Sequence, residues 1–258
     1  MLPYSSQGQG DTALVVMHYL GGSHRTWFPT LPYLDRHYRC IALNTPGFGD
    51  AANMAGYDVA SMAQQVDATL RELGLRQVIL AGHSMTGKVA LALAAQRPDY
   101  LKKLVLVAPS PPGPQPMSEQ DRQAQASYQA TRKEAEDFVD GACAQRLPDA
   151  LREVAIADAQ SASLAAWHAW PLAGSREEWR DRIGRIDLPA LLVLGSEDGN
   201  VPGAAEQRQM MQTHLPQGRL AVIAGAGHLM PMQNPQALAS HILAFAAEEA
   251  GTAEWRQA

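Results

Sequence analysis

Residues 77–96 read QVILAGHSMTGKVALALAAQ, and the fold turns on how this stretch is read. Gln77–Ala81 is a short apolar run that ends at a glycine, the pattern of a buried strand. Ser84–Gln96 is rich in Ala and Leu and stops before Pro98, the pattern of a helix. Between them lies Gly82-His83-Ser84-Met85-Thr86-Gly87. A serine on a tight strand-to-helix turn exposes its hydroxyl at the carboxyl edge of a sheet. The adjoining helix N-terminus favours negative charge that develops nearby. Such a turn is strained and brings backbones close together, so it needs small residues around the serine. Gly82, two residues before Ser84, meets that need; two residues after it stands Thr86, with Gly87 one place later.

Further apolar runs flank this unit at regular intervals. They are Ala13–Tyr19, Tyr38–Leu43, Leu101–Ala108, Pro189–Leu194 and Arg219–Ile223. Most are followed by Gly, Pro or Asp, and they read as strands of a parallel sheet. Helical patterns separate them. From the candidate N-cap Asp58, the residues Val59, Met62, Ala63, Val66, Leu70 and Leu73 recur mostly at spacings of three and four, and Gly74 stops the run. Ala204–Leu215 and Gln236–Glu249 are helical by composition. This alternation predicts an α/β fold with a doubly wound, mostly parallel sheet.

One stretch breaks the pattern. Ser110–Pro116 (SPPGPQP) has four prolines in seven residues and fits neither a helix nor an inner strand. From Met117 to about Arg182 no strand pattern appears, and the segment reads as several helices. The expected division is a core of residues 1–112 and 183–258 with a helical insertion at 113–182. The tail Gly251–Ala258 falls outside the pattern and is expected to be mobile.

Composition bounds the function. Of 258 residues, 46% are hydrophobic and 18% charged, enough for a sizeable core and against intrinsic disorder. The net charge of −5, with Arg and Lys scattered, gives no footprint for nucleic acid. No apolar run approaches the roughly 18 residues of a membrane span, and Met1–Thr12 has no signal-peptide pattern. Cys40 and Cys143 have no metal-type spacing; one disulfide between them stays open, and the preferred reading is two reduced thiols of a cytoplasmic protein. No cluster has metal-ligand spacing, and Gly47-x-Gly49 is no dinucleotide fingerprint because the third glycine and the opening helix are missing. The reading therefore expects no cofactor and no metal.

The turn around Ser84 resembles the nucleophile turn of the α/β-hydrolase superfamily. Two further sites match it in the required chain order, serine, then acid, then histidine. Leu194-Gly195-Ser196-Glu197-Asp198 is similar to the loop that supplies the acid, which implies Asp198, with Glu197 as the competing carboxylate. Gly225-Ala226-Gly227-His228 follows the last strand, which implies His228 as general base among eight histidines. Met17-His18-Tyr19-Leu20-Gly21-Gly22 resembles the oxyanion segment. The implied donors are the N–H groups of Leu20 and of Met85, next to the nucleophile. In this segment Tyr19 replaces the family's usual glycine, and either lines the acyl pocket or turns away and packs. His18 is expected to hold the loop rather than act as a second base. Asn44-Thr45-Pro46-Gly47-Phe48-Gly49 resembles a structural turn of the family, with Asn44 in place of its aspartate.

The resemblance implies that the insertion caps the nucleophile, with Tyr128, Phe138, Trp167 and Trp170 as possible pocket residues. Substrate contacts are expected from Tyr19, Trp167 and Trp170, and Trp27 is expected in the core. The implied activity is cofactor-independent hydrolysis of a small-molecule ester or lactone by a serine nucleophile. A serine at this turn, rather than an aspartate, separates the chain from haloalkane dehalogenases and epoxide hydrolases. Other chemistry on the same residues stays open: C–C hydrolysis, perhydrolysis or hydroxynitrile lysis. So does a ligand receptor without turnover. Leu229, where C–C hydrolases often carry tryptophan, weakens the first of these. The sequence does not fix the oligomeric state.

Overall fold

The computed structural model describes residues 1–248. Seven strands form one sheet in the order β1-β3-β2-β4-β5-β6-β7. They are β1 (Tyr4–Gln7), β2 (Ala13–Met17), β3 (Arg39–Leu43), β4 (Val78–His83), β5 (Leu101–Val107), β6 (Ala190–Gly195) and β7 (Gly218–Ile223). All neighbours run parallel except β1, which pairs antiparallel with β3 at the edge. The apolar runs became inner strands because side chains alternate across a sheet that is covered on both faces. Leu14, Val16, Ile79, Ala81, Leu191 and Val193 enter one core, and Val15, Met17, Leu80, Leu104, Leu106 and Leu192 the other.

The α-helices among the described residues are α1 (Val59–Glu72), α2 (Met85–Ala94), α3 (Glu119–Ala126), α4 (Arg132–Gly141), α5 (Asp149–Ser161), α6 (Leu164–Leu172), α7 (Arg180–Ile183), α8 (Ala204–Met211), α9 (Met230–Gln233) and α10 (Pro235–Ala247). Asp58 caps α1 by accepting from the Ser61 N–H at 2.8 Å. The buried stripe of α1 and all of α2 pack on one face of the sheet; Leu238, Ala239, Ile242 and Phe245 of α10 pack on the other, with Trp27. The last helix was expected to reach Glu249; that residue and the tail 251–258 lie outside the described residues.

The segment between β5 and β6 carries α3–α7 and is fastened to the sheet at several points. The Trp179 N–H donates to Pro112 O (2.9 Å) and the Gln115 N–H to Ser175 O (2.8 Å), closing the proline-rich entry against the exit. From α2, Lys88 Nζ donates to Gly113 O (2.9 Å) and Glu177 O (3.1 Å), so one buried ammonium holds both ends. Asp158 of α5 is buried; it accepts from Ser23 Oγ (2.8 Å) and pairs with Arg25, both in the loop after β2.

Candidate active site

The chain reverses direction across the sheet between β2 and β4. From β2 the next strand, β3, lies to one side, whereas β4 pairs on the other and β5–β7 continue away. Open α/β sheets bind ligands at the carboxyl ends of strands beside such a switch. The candidate residues lie in that position: Leu20 follows β2, Ser84 follows β4, Asp198 follows β6 and His228 follows β7.

Ser84 has φ 56° and ψ −117°, a backbone conformation that a side-chain-bearing residue adopts at a cost. A Cβ at Gly82 would stand 2.4 Å from Thr86 O, which is why a glycine precedes the turn. Thr86 locks the turn from the other side. Its Oγ1 accepts from the His83 N–H (2.9 Å), and its hydroxyl lies 2.9 Å from His18 O and 3.0 Å from His83 O. The serine turn and the loop after β2 are thereby tied through one buried hydroxyl.

His228 Nδ1 lies 2.8 Å from Asp198 Oδ2, and both side chains are buried. Burial alone would raise the Asp198 carboxyl. The charge and hydrogen bond of His228, with the Asn200 N–H on Asp198 Oδ1 (2.8 Å), outweigh it and hold the group below the ordinary carboxylate value. An ionised carboxylate only accepts, so it fixes the proton on Nδ1 and leaves Nε2 with a free lone pair. Glu197, the competing carboxylate, is exposed and accepts from Ser196 Oγ instead. The backbone of His228 is also fixed: its N–H donates to Ala142 O (2.8 Å), and its carbonyl accepts from His83 Nε2 (2.8 Å). Burial pushes His83 down to about 3, so this second imidazole stays neutral.

Ser84 and His228 line one cavity of about 360 Å³, together with Tyr19 and Leu20. No hydrogen bond joins Ser84 to His228 among the described residues, a looseness common where substrate binding tightens the pair. Neither the Leu20 N–H nor the Met85 N–H donates to an acceptor among the described residues, which leaves both free for a ligand oxygen. The loop that carries Leu20 is held by His18. Its Nδ1–H donates to Tyr19 O (2.7 Å) and its Nε2 accepts from the Thr45 N–H (3.1 Å). Burial brings His18 down to about 4, so it acts here as a neutral brace. Asn44 Oδ1 accepts from the His24 N–H at 3.0 Å, a purely structural contact.

A family model described as "Alpha/beta hydrolase family" matches residues 14–241, from the first parallel strand into α10. The chain belongs to the alpha/beta hydrolase family. The pimeloyl-[acyl-carrier protein] methyl ester esterase of Vibrio vulnificus is 28% identical over 258 residues, covering 95% of this chain and 98% of that protein. The dihydrolipoyllysine-residue acetyltransferase component of the acetoin cleaving system of Pseudomonas putida is 28% identical over 257 residues, 92% of this chain, and the chain spans 64% of that relative's length. Among solved structures, a bromoperoxidase from Bacillus anthracis superposes with a TM-score of 0.87 at 21% identity, covering 95% of each chain. The esterase EaEST from Exiguobacterium antarcticum gives 0.85 at 21% identity, with the same coverage. At that identity the two structures share the fold.

In this alpha/beta hydrolase the cavity wall combines core and insertion. Besides the residues named above it is made by Gln115, Pro116, Met117, Asp121, Gln125, Phe138, Ala142, Trp170, Gly199 and Asn200. Tyr19 is buried on this wall. Its ring is tilted against His83 (centroids 5.3 Å) and stacked on Phe138 (6.2 Å), and its hydroxyl has no hydrogen-bond partner among the described residues. Trp170 and Phe138 line the cavity, but Trp167 and Tyr128 do not. Trp167, expected among the substrate contacts, thus lies outside the lining of this cavity. Its ring stacks on Tyr128 (3.7 Å), meets Phe138 edge-on (4.7 Å), and its Nε1 donates to Gln125 O (3.0 Å). It also fills the space over Gly21, whose φ is +79° and where a Cβ would stand 2.4 Å from the indole. Trp167 therefore supports the wall from behind. The sequence reading missed Thr86 as a lock, and it missed the polar wall residues Gln115, Asp121, Gln125 and Asn200.

Proposed function

We propose that this chain is a cofactor-independent serine hydrolase that cleaves a small-molecule carboxylic ester or lactone through an acyl-enzyme. The observation that carries this reading is the pairing, in one cavity, of a serine on a positive-φ turn with a histidine whose Nδ1 is bonded to a buried carboxylate. Ser84 Oγ attacks the carbonyl carbon while His228 Nε2 takes its proton. Asp198 holds the imidazole and stabilises its charged form. The N–H groups of Leu20 and Met85 donate to the oxyanion. Collapse expels the alcohol, which receives the proton from His228. Water, activated by the same imidazole, then hydrolyses the acyl-serine.

Residues 113–182 serve as the cap over this centre, and Tyr19 and Trp170 meet the substrate on its walls. Relatives named as a methyl ester esterase and as a putative carbamate hydrolase support acyl transfer to water. The reading is that of a cytoplasmic protein with two free thiols; among the described residues no helix is long and apolar enough to cross a membrane. The test is a screen of esters and lactones of graded chain length with wild type and Ser84→Ala. Hydrolysis that Ser84→Ala abolishes is expected. Equal hydrolysis by both proteins would refute the assignment.

A further inference from the structure

The charges around the cavity restrict what can enter it. Among the described residues the lining contains no Arg and no Lys; apart from the His228 imidazole, its one ionised side chain there is the Asp121 carboxylate. Asp121 is exposed, as are Pro116, Gly199 and Asn200, so these residues form the mouth. Tyr19, Leu20, Ala142 and Trp170 are buried and form the apolar interior. Cations beside lining residues or on neighbouring segments are engaged elsewhere. Arg122, next to Asp121, is buried and donates to Pro171 O (2.8 Å) and Ser175 Oγ (2.5 Å). Lys88, 5.8 Å from the Trp170 ring, is bound to the carbonyls of Gly113 and Glu177. Arg176 pairs with Glu119 at 2.6 Å. Two further buried carboxylates belong to this half of the molecule, Asp198 on His228 and Asp158 paired with Arg25.

A carboxylate or phosphate taken into this cavity would lose water without gaining a cationic partner, and would meet a like charge at the mouth. We infer that the substrate is an uncharged or cationic ester, and that Asp121 is a specificity-determining residue which discriminates against anionic acyl or alcohol groups. This inference rests on the serine-hydrolase reading for its chemistry, but not for its binding.

The test uses two sets of matched esters, one varied on the acyl chain and one on the alcohol. Each set ends in a hydroxyl, a trimethylammonium or a carboxylate. In wild type, kcat/KM for the carboxylate member should fall about tenfold or more below the other two, and the gap should shrink as salt rises. Asp121→Lys should narrow or invert the ammonium-to-carboxylate ratio, and Asp121→Asn should fall between. The same terminal groups on non-cleavable amides, titrated into Ser84→Ala by calorimetry, report binding without chemistry. Carboxylate ligands that bind or react as well as the neutral ones would overturn the inference. So would a ratio unmoved by Asp121→Lys, or no binding by any member. A preserved binding order with no hydrolysis in wild type would refute the hydrolase reading alone.

Discussion

At the scale of residues, the structure gives a task to Tyr19, which stands where the family usually has glycine, and to Thr86, two places after Ser84. The Tyr19 ring takes up interior volume between His83 and Phe138, while its hydroxyl is buried without a partner among the described residues. Tyr19→Phe removes an unsatisfied polar atom and should keep both kcat and the melting temperature, or raise the latter. Tyr19→Gly should lose about 3–5 kcal/mol of stability. It should also shift kcat/KM toward bulkier acyl groups, by about 10- to 200-fold. Melting curves and one ester series check both variants; an unchanged size profile in Tyr19→Gly would remove this residue from the pocket. Thr86→Val keeps the shape but strands the His83 N–H and the His18 carbonyl, at about 1–3 kcal/mol each. It should lower kcat more than Thr86→Ser, which retains the hydroxyl; equal kinetics would deny the lock. Ser84, Asp198 and His228 stood out as candidates in the sequence because each falls in the segment just after a strand. The polar wall could not, because Gln115, Asp121, Gln125 and Asn200 meet only through tertiary packing of the insertion and the acid loop. Trp167 and Trp170 sit three apart on one largely apolar helix, and the packing of Trp167 against Tyr128, Phe138 and the Gln125 carbonyl leaves Trp170 on the cavity wall.

At the scale of elements, the inner strands were legible because burial on both faces makes them continuous apolar runs, and α1 because its stripe and Asp58 cap agree. The bounds moved by a residue or two: the run through Tyr19 ends as a strand at Met17, where the loop that carries Leu20 begins, and the run from Gln77 becomes a strand over Val78–His83. The antiparallel direction of β1 had no sequence signal, since its short, half-exposed stretch carries no core pattern. The attachment of the segment between β5 and β6 was equally hidden, because a lysine four residues after Ser84 gives no sign that it bonds two distant carbonyls. Burial lowers Lys88 to about 8. Lys88→Met should cost about 1–3 kcal/mol for each carbonyl left without a donor. Because Trp170 lies over this site, KM should rise more than kcat falls. Steady-state kinetics with a melting curve measure both, and wild-type values would show that the insertion is held without Lys88.

At the scale of the whole molecule, two neutral histidines brace the loops that meet at the switch between β2 and β4. His18 and His83 take up protons in the fold only at about 4 and about 3, against 6.5 ordinarily, because burial penalises their charged forms. Their folded values are depressed, so the unfolded chain binds protons that the native chain refuses. Stability from this source is full above pH 6.5 and is lost as pH falls toward about 4, with the His83 share continuing to about 3. Urea midpoints should record a loss of about 2–4 kcal/mol between pH 6.5 and 5, before most carboxylates titrate. A flat profile there would mean that these imidazoles are not buried neutral. The central claim, that Ser84 is a nucleophile activated by His228, is tested most directly by labelling with an organophosphonate ester followed by peptide mapping. The account predicts one adduct per chain, on Ser84, absent in Ser84→Ala and strongly slowed in His228→Ala. A label on Ser110 or Ser196, or labelling that persists in Ser84→Ala, would contradict it.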